Sequence, residues 1–178
     1  MARNRYIKDY RIVETVNERG RIRSNYEYIG AAYVFAADAK TLYRARRFAL
    51  AACLIGWLAF LGALLPNSTA MRTFYVSLPF AFAALPLWLL TEDAVFAFRA
   101  KEPLEHRHAD RLANRYPAAA VFTAALPAVS LIGELVTLLR GLDLRAGDIA
   151  FTLFAALLLG CGAVSYRGRK NLLCRKAD

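Results

Sequence analysis

Apolar residues gather in four stretches, 48–65, 74–90, 118–139 and 149–166, set apart by short polar connections. Each approaches the ~20 residues that a helix needs to cross a hydrocarbon core. Only the third carries a charge inside it, at Glu134. The pattern predicts an all-α transmembrane fold, a four-helix polytopic membrane domain over 38–166. A segment at 1–37 precedes it and a basic tail at 167–178 follows.

Ahead of the first stretch the apolar period changes to two. Tyr10, Ile12 and Val16 alternate on one strand, and Ile22, Tyr26 and Tyr28 on another. Folding the chain about Arg19 sets Val16 opposite Ile22, Ile12 opposite Tyr26 and Tyr10 opposite Tyr28, so the apolar residues share a face. The same register sets Arg11 against Glu27 on the other face, an attractive cross-strand pair. Glu18-Arg19-Gly20 then forms the loop, with glycine where a three-residue hairpin needs a left-handed residue. A small N-terminal β-hairpin is therefore predicted. Alone it is marginal in water, so its face must cover something: a third strand near 32–35, the helix of the middle loop, headgroups or another subunit.

Helix ends are legible at two further places. Asp38 has the chemistry of an N-cap for a helix that passes through Thr41, Tyr43 and Arg47 into the first span. Glu102 and Pro103 read as the start of a loop helix at 103–116, with Leu104, His108, Leu112 and Tyr116 as its apolar stripe. Pro117 then marks a break or kink at the entry to span three.

Charge orients the chain. Of its 24 Lys and Arg, 21 lie before span one, between spans two and three, or after span four, leaving Arg72, Arg140 and Arg145 for the other two connections. Positive residues beside spans are retained on the cytoplasmic side, which predicts an inner-membrane protein with both termini and the middle loop cytoplasmic. So strong a bias argues against a transporter whose identical chains insert both ways. The net charge of +10 then belongs to the membrane surface and its anionic headgroups rather than to nucleic acid, for which no recognition module is present. The 58% hydrophobic content describes lipid-facing helices.

Candidate chemistry is sparse. Glu134 is the strongest suspect, because a carboxylate at membrane depth is expensive and calls for a partner. Arg72, or Arg140 by snorkelling, can supply it. The structural reading is a simple ion pair, the functional one substrate or proton coupling. Glu92 and Asp93 lie ~18 residues, or ~27 Å, into span two, near its inner boundary. They are expected to pair with Arg99, Lys101 or the basic N-terminal segment. Glu105, His106, His108 and Asp110 invite a metal reading, but their pairs point in different directions around a helix.

Small residues at Ala52 and Gly56, Ala59 and Ala63, and Ala156 and Gly160 allow close helix approach. Pro79, Pro86 and Pro127 predict kinks. Trp57 reads as packing and Trp88 as an interfacial anchor. Cys53 and Cys161 fall within spans and Cys174 in the tail, so no disulfide framework is expected; Cys174 lacks a prenylation context. Asn67-Ser68-Thr69 matches a glycosylation pattern but reads equally as turn chemistry. No early apolar segment suggests a cleavable signal.

No phosphate loop, zinc spacing or nucleophile elbow is present, and no cofactor is implied. Three classes of function stay open. The first is a non-enzymatic accessory or interaction subunit that meets another membrane protein, or itself, through Tyr10, Ile12, Tyr26 and Tyr28. The second is a small-solute transporter or channel component using Glu134. The third is a membrane enzyme acting on a lipid-linked substrate.

Overall fold

The computed structural model describes residues 6–16, 22–66, 68–139 and 145–177. Among these, four helices are long and apolar enough to cross a membrane: Ala39–Leu64, Phe74–Arg99, His106–Leu139 and Ala146–Leu172. Between 33% and 39% of each apolar window is buried, so most apolar side chains in every span face outward. Leu54, Leu58, Leu85, Trp88, Ile132 and Leu153 stand in that outward belt. A bilayer is the solvent that suits such a surface.

Strands β1 (Tyr10–Val16) and β2 (Ile22–Tyr28) form the expected hairpin. The register pairs Tyr10 with Tyr28, Arg11 with Glu27, Ile12 with Tyr26 and Val16 with Ile22, as alternation dictates. The expected loop at Glu18-Arg19-Gly20 lies outside the described residues. Strand β3 (Tyr33–Phe35) is not a third strand of this hairpin. It pairs antiparallel with β4 (Cys174–Lys176), matching Phe35 with Cys174 and Tyr33 with Lys176. The tail is thus a structured element that holds the two ends of the chain together at one end of the bundle, called here the terminal end.

Helix α1 (Ala39–Leu64) begins where Asp38 caps it, the Thr41 N–H donating to Oδ2 at 3.1 Å. Span two divides at Ala83 into α2 (Phe74–Phe82) and α3 (Ala84–Arg99). Pro86 has no N–H to give the Phe82 carbonyl, and the break falls within that turn. Pro127, by contrast, is carried inside a continuous helix.

The middle loop departs most from expectation. Leu104 does not begin a helix; it exchanges backbone hydrogen bonds with Tyr33 at 2.8 and 2.9 Å. Helix α4 (His106–Asp110) starts after it and runs through a π-helical turn (Arg111–Arg115) into α5 (Tyr116–Leu139). Span three is therefore one long helix with no break at Pro117. In the π turn the Tyr116 N–H reaches back five residues to Arg111. That wider turn gives room for the ring of Pro117, which would otherwise press on the carbonyl four residues before it.

Helix α6 (Ala146–Gly168) completes an antiparallel ring in which each span packs on the next and α6 returns to α1. Its core is made close by small residues. At Gly162 a Cβ would lie 2.6 Å from the Ala124 nitrogen and 2.8 Å from the Ala120 oxygen, so spans three and four touch backbone to backbone there. Ala52, Gly56, Ala59 and Ala63 are buried as expected. The pair Ala156 and Gly160 is not a contact: Ala156 is exposed and nothing stands within 4 Å of a Cβ at Gly160. Larger side chains fill the opposite end, where Phe80 stacks on Phe60 at 5.2 Å and meets Phe151 edge-on at 5.1 Å.

Candidate functional site

Three polar constellations interrupt this apolar frame. The first joins spans two and three at the terminal end. Asp93 is wholly buried, and its Oδ1 accepts from Arg111 Nε at 2.5 Å and Arg115 Nη2 at 2.6 Å. Arg115 Nη2 also donates to Glu92 Oε2 at 2.7 Å, and Arg111 Nη2 lies 2.9 Å from Glu92 Oε1. Among the described residues the two acids therefore pair with arginines of the loop helix, not with Arg99, Lys101 or the N-terminal segment. Two carboxylates and two guanidiniums cancel in charge, and each arginine is anchored by the acid that burial would otherwise forbid. An open cavity of about 450 Å³ adjoins the cluster, with Arg107, Asp110 and Asn114 in its wall.

The second lies at the opposite end, between spans three and four. Glu134 is buried, and Thr152 Oγ1 donates to its Oε2 at 2.8 Å while also facing the Asp148 carbonyl oxygen at 2.9 Å. Glu134 Oε1 has no hydrogen-bond partner. The expected pairing with Arg72 does not occur: Arg72 ends the turn Ala70–Arg72, and among the described residues no ion pair reaches Glu134. Arg140 lies outside the described residues. One turn along α6, Asp148 gathers the chain, its Oδ1 accepting from Ser68 Oγ at 2.8 Å and the Thr69 N–H at 2.7 Å, and its Oδ2 from the Arg145 N–H at 3.1 Å. A carboxylate at the first turn of a helix also suits the helix dipole.

The third is the seat of the hairpin on the loop helix. Tyr10 Oη donates to Glu105 Oε2 at 2.5 Å, and the Tyr6 hydroxyl donates to Asp110. Tyr28 Oη accepts the His106 N–H at 2.8 Å, supplying the cap that the α4 N-terminus lacks from its own side chains, and donates to the Ala31 carbonyl at 2.7 Å. His106 stacks on Tyr33 and places Nδ1 3.2 Å from Asp9. The carboxylate next to Tyr10 pushes that phenol up to about 12, since ionising it would set two negative oxygens together.

The aromatic face is consequently divided. Tyr10 and Tyr28 are half-buried on the loop helix, whereas Ile12 is 60% and Tyr26 74% exposed. The loop helix covers one end of the face and leaves the other open.

No family model, curated protein or solved structure matches this chain. What the constellations do must be read from their chemistry. Glu105, His106, His108 and Asp110 spend their polar atoms on tyrosines, Asp9 and Asn114, or pack on Phe96. Among the described residues no three metal-ligating side chains converge, and Cys53, Cys161 and Cys174 are free thiols. Sequence reasoning missed Arg111, Arg115 and Thr152, and singled out Glu105 as a metal candidate rather than as the acceptor for Tyr10. The spacing of Arg107, Arg111 and Arg115 at four residues was the available signal, a positive ridge on the helix that follows the two acids.

Proposed function

We propose that this protein is a non-enzymatic interaction subunit of a membrane complex, inserted with both termini and the middle loop on the cytoplasmic side. The observation that carries the reading is the divided hairpin face. Hydrogen-bonded tyrosines hold its base on the loop helix, so Ile12 and Tyr26 are presented on a fixed support at little entropic cost to a partner. Both ion-rich constellations serve the frame: one ties span two to span three, the other ties the first turn of span four to the connection after span one. The partner is another membrane protein or a second copy of this chain. The bias of 21 of 24 basic residues to the segments before span one, between spans two and three and after span four supports the orientation.

The test is site-specific photocrosslinking in native membranes. A crosslinker at Tyr26 should give one discrete adduct, one at Arg11 on the other face of the same hairpin should not, and Tyr26→Asp should abolish the first without altering insertion. Equal crosslinking from both faces overturns the reading. Reporters fused after Leu104 and Asp178 should both read cytoplasmic; an external reading at either removes the orientation.

One observation favours a second reading, coupling of a small solute or proton at Glu134. Its Oε1 is buried without a hydrogen-bond partner, an unusual cost in a purely structural carboxyl. Uptake by protein-loaded liposomes that Glu134→Gln abolishes would put this reading first.

A further inference from the structure

Where span one meets span four at the terminal end, an open cavity of about 470 Å³ is cut into the outside of the bundle. Its floor is apolar, with Ala45, Phe48, Ala49 and Val164, while Thr41, Arg44, Arg167 and Asn171 form a polar and positive rim. Arg44 stands just before the first apolar stretch and Arg167 just after the fourth. The cavity therefore straddles the level at which hydrocarbon gives way to headgroups. Neighbouring arginines are committed elsewhere: Arg47 lies over Tyr43, Arg169 over Tyr166, and Arg46 over Phe35 while donating to the Ala100 carbonyl. Arg44 and Arg167 make neither an ion pair nor a ring contact among the described residues.

A second, independent observation lies in the wall. Thr91, Thr123, Ser130 and Thr137 each return their hydroxyl to the carbonyl four residues earlier, the usual way to satisfy such a group inside a span. Ser165 does not. Its Oγ is buried in the cavity wall and turns instead toward the Tyr116 hydroxyl, which lines the same cavity. A polar rim of Thr41 and Asn171, between an apolar floor and two uncommitted guanidiniums, matches a ligand with an anionic head, oxygens below it and a hydrocarbon tail.

We propose that this groove holds one acidic phospholipid. Its phosphate sits between Arg44 and Arg167, its glycerol and ester oxygens meet Thr41 and Asn171, and an acyl chain begins along Phe48 and Val164. A free phosphate would leave the floor empty, and a zwitterionic headgroup would bring a further cation to a rim that already holds two. The inference stands apart from the hairpin reading, because it concerns the groove between spans one and four, uses none of the hairpin's residues and needs no protein partner.

The test uses the full chain in a neutral detergent, with native mass spectrometry and thermal unfolding during titration with phosphatidylglycerol, phosphatidylcholine of the same acyl chains, or glycerol 3-phosphate. Phosphatidylglycerol should give a saturable one-to-one adduct and raise Tm, and the other two should not. Arg44→Gln with Arg167→Gln should weaken that adduct at least tenfold. Arg99→Gln with Lys101→Gln, an equal loss of charge at the same end, should leave it intact. Asn171→Ala, which keeps both arginines, should weaken it several-fold. Equal retention by both double variants, equal retention of phosphatidylcholine, or the same Tm gain from glycerol 3-phosphate would each overturn the proposal.

Discussion

Replacing Asp93 with Asn keeps the shape of the side chain and removes one charge from the joint between spans two and three. In the native cluster Oδ1 receives Arg111 Nε at 2.5 Å and Arg115 Nη2 at 2.6 Å, and Oδ2 receives Arg115 Nε at 3.1 Å. Asn must turn an NH₂ toward one of these donors, setting donor against donor and leaving two guanidiniums short of one anion. Neutralising one member of a fully dry pair costs ~3–5 kcal/mol. Here the side chains of Arg111 and Arg115 are 22% and 38% exposed, and Glu92 remains to share both. The expected loss falls to about 2–3 kcal/mol, a drop in Tm of about 5–10 °C for a domain of this size. Glu92→Gln is the control, because its side chain is 47% exposed and its removal should cost under ~1 kcal/mol. Thermal unfolding in detergent, followed by tryptophan fluorescence, measures both. Equal losses in the two variants, or a loss under ~0.5 kcal/mol for Asp93→Asn, would refute the claim that burial of Asp93 makes the cluster structural.

Gly162→Ala should destabilise by about 1–3 kcal/mol, since the added carbon meets backbone that no rotamer change can move, whereas Gly160→Ala should be neutral or slightly stabilising; a larger loss at Gly160 than at Gly162 would reverse the assignment of faces. Glu134→Gln should keep the Thr152 contact and lower Tm little, while Glu134→Ala should lower it more by stranding Thr152 beside a void, and equal melting of all three forms would place the carboxyl in water. Tyr10 ionises at about 12 when folded against 10.0 unfolded, so its bond to Glu105 supports the hairpin fully below pH 10 and ceases to as pH rises through 12. Absorbance titration should show Glu105→Gln moving one late-ionising tyrosine back toward 10; a titration curve unchanged by that substitution would contradict the contact.

The features readable from sequence alone were those whose cause is local. The hairpin register follows from period two, because a slip of one residue would turn Ile12 and Tyr26 to the face of Arg11 and Glu27. Asp38 caps α1 because a short acid three residues before a free N–H does so in almost any context. What escaped was set by distant partners. Pro103 has the chemistry of a helix start, yet the backbone of Leu104 is taken by Tyr33, so the helix waits until His106. Gly160 and Gly162 differ by two positions, nearly opposite sides of a helix, and only the docking of span three decides which is the contact. The candidate site divided likewise. Glu92, Asp93 and Glu134 were visible as charges in apolar surroundings, but their partners were chosen by how the spans pack: arginines of the loop helix for the first two, a threonine hydroxyl for the third.

The sheet formed by β3 and β4 gives the protein an order of assembly. β3 lies before the first span and β4 after the last, so during synthesis the Phe35 edge has no strand to receive it until span four has entered the bilayer. Leu104 is available to Tyr33 earlier, once span two has been made. The terminal layer is thereby completed in two stages, the second reporting that the whole bundle has closed. A nascent or miscounted chain would carry an unfilled strand edge into the cytoplasm on the orientation proposed above, which is the kind of surface that chaperones and membrane proteases engage.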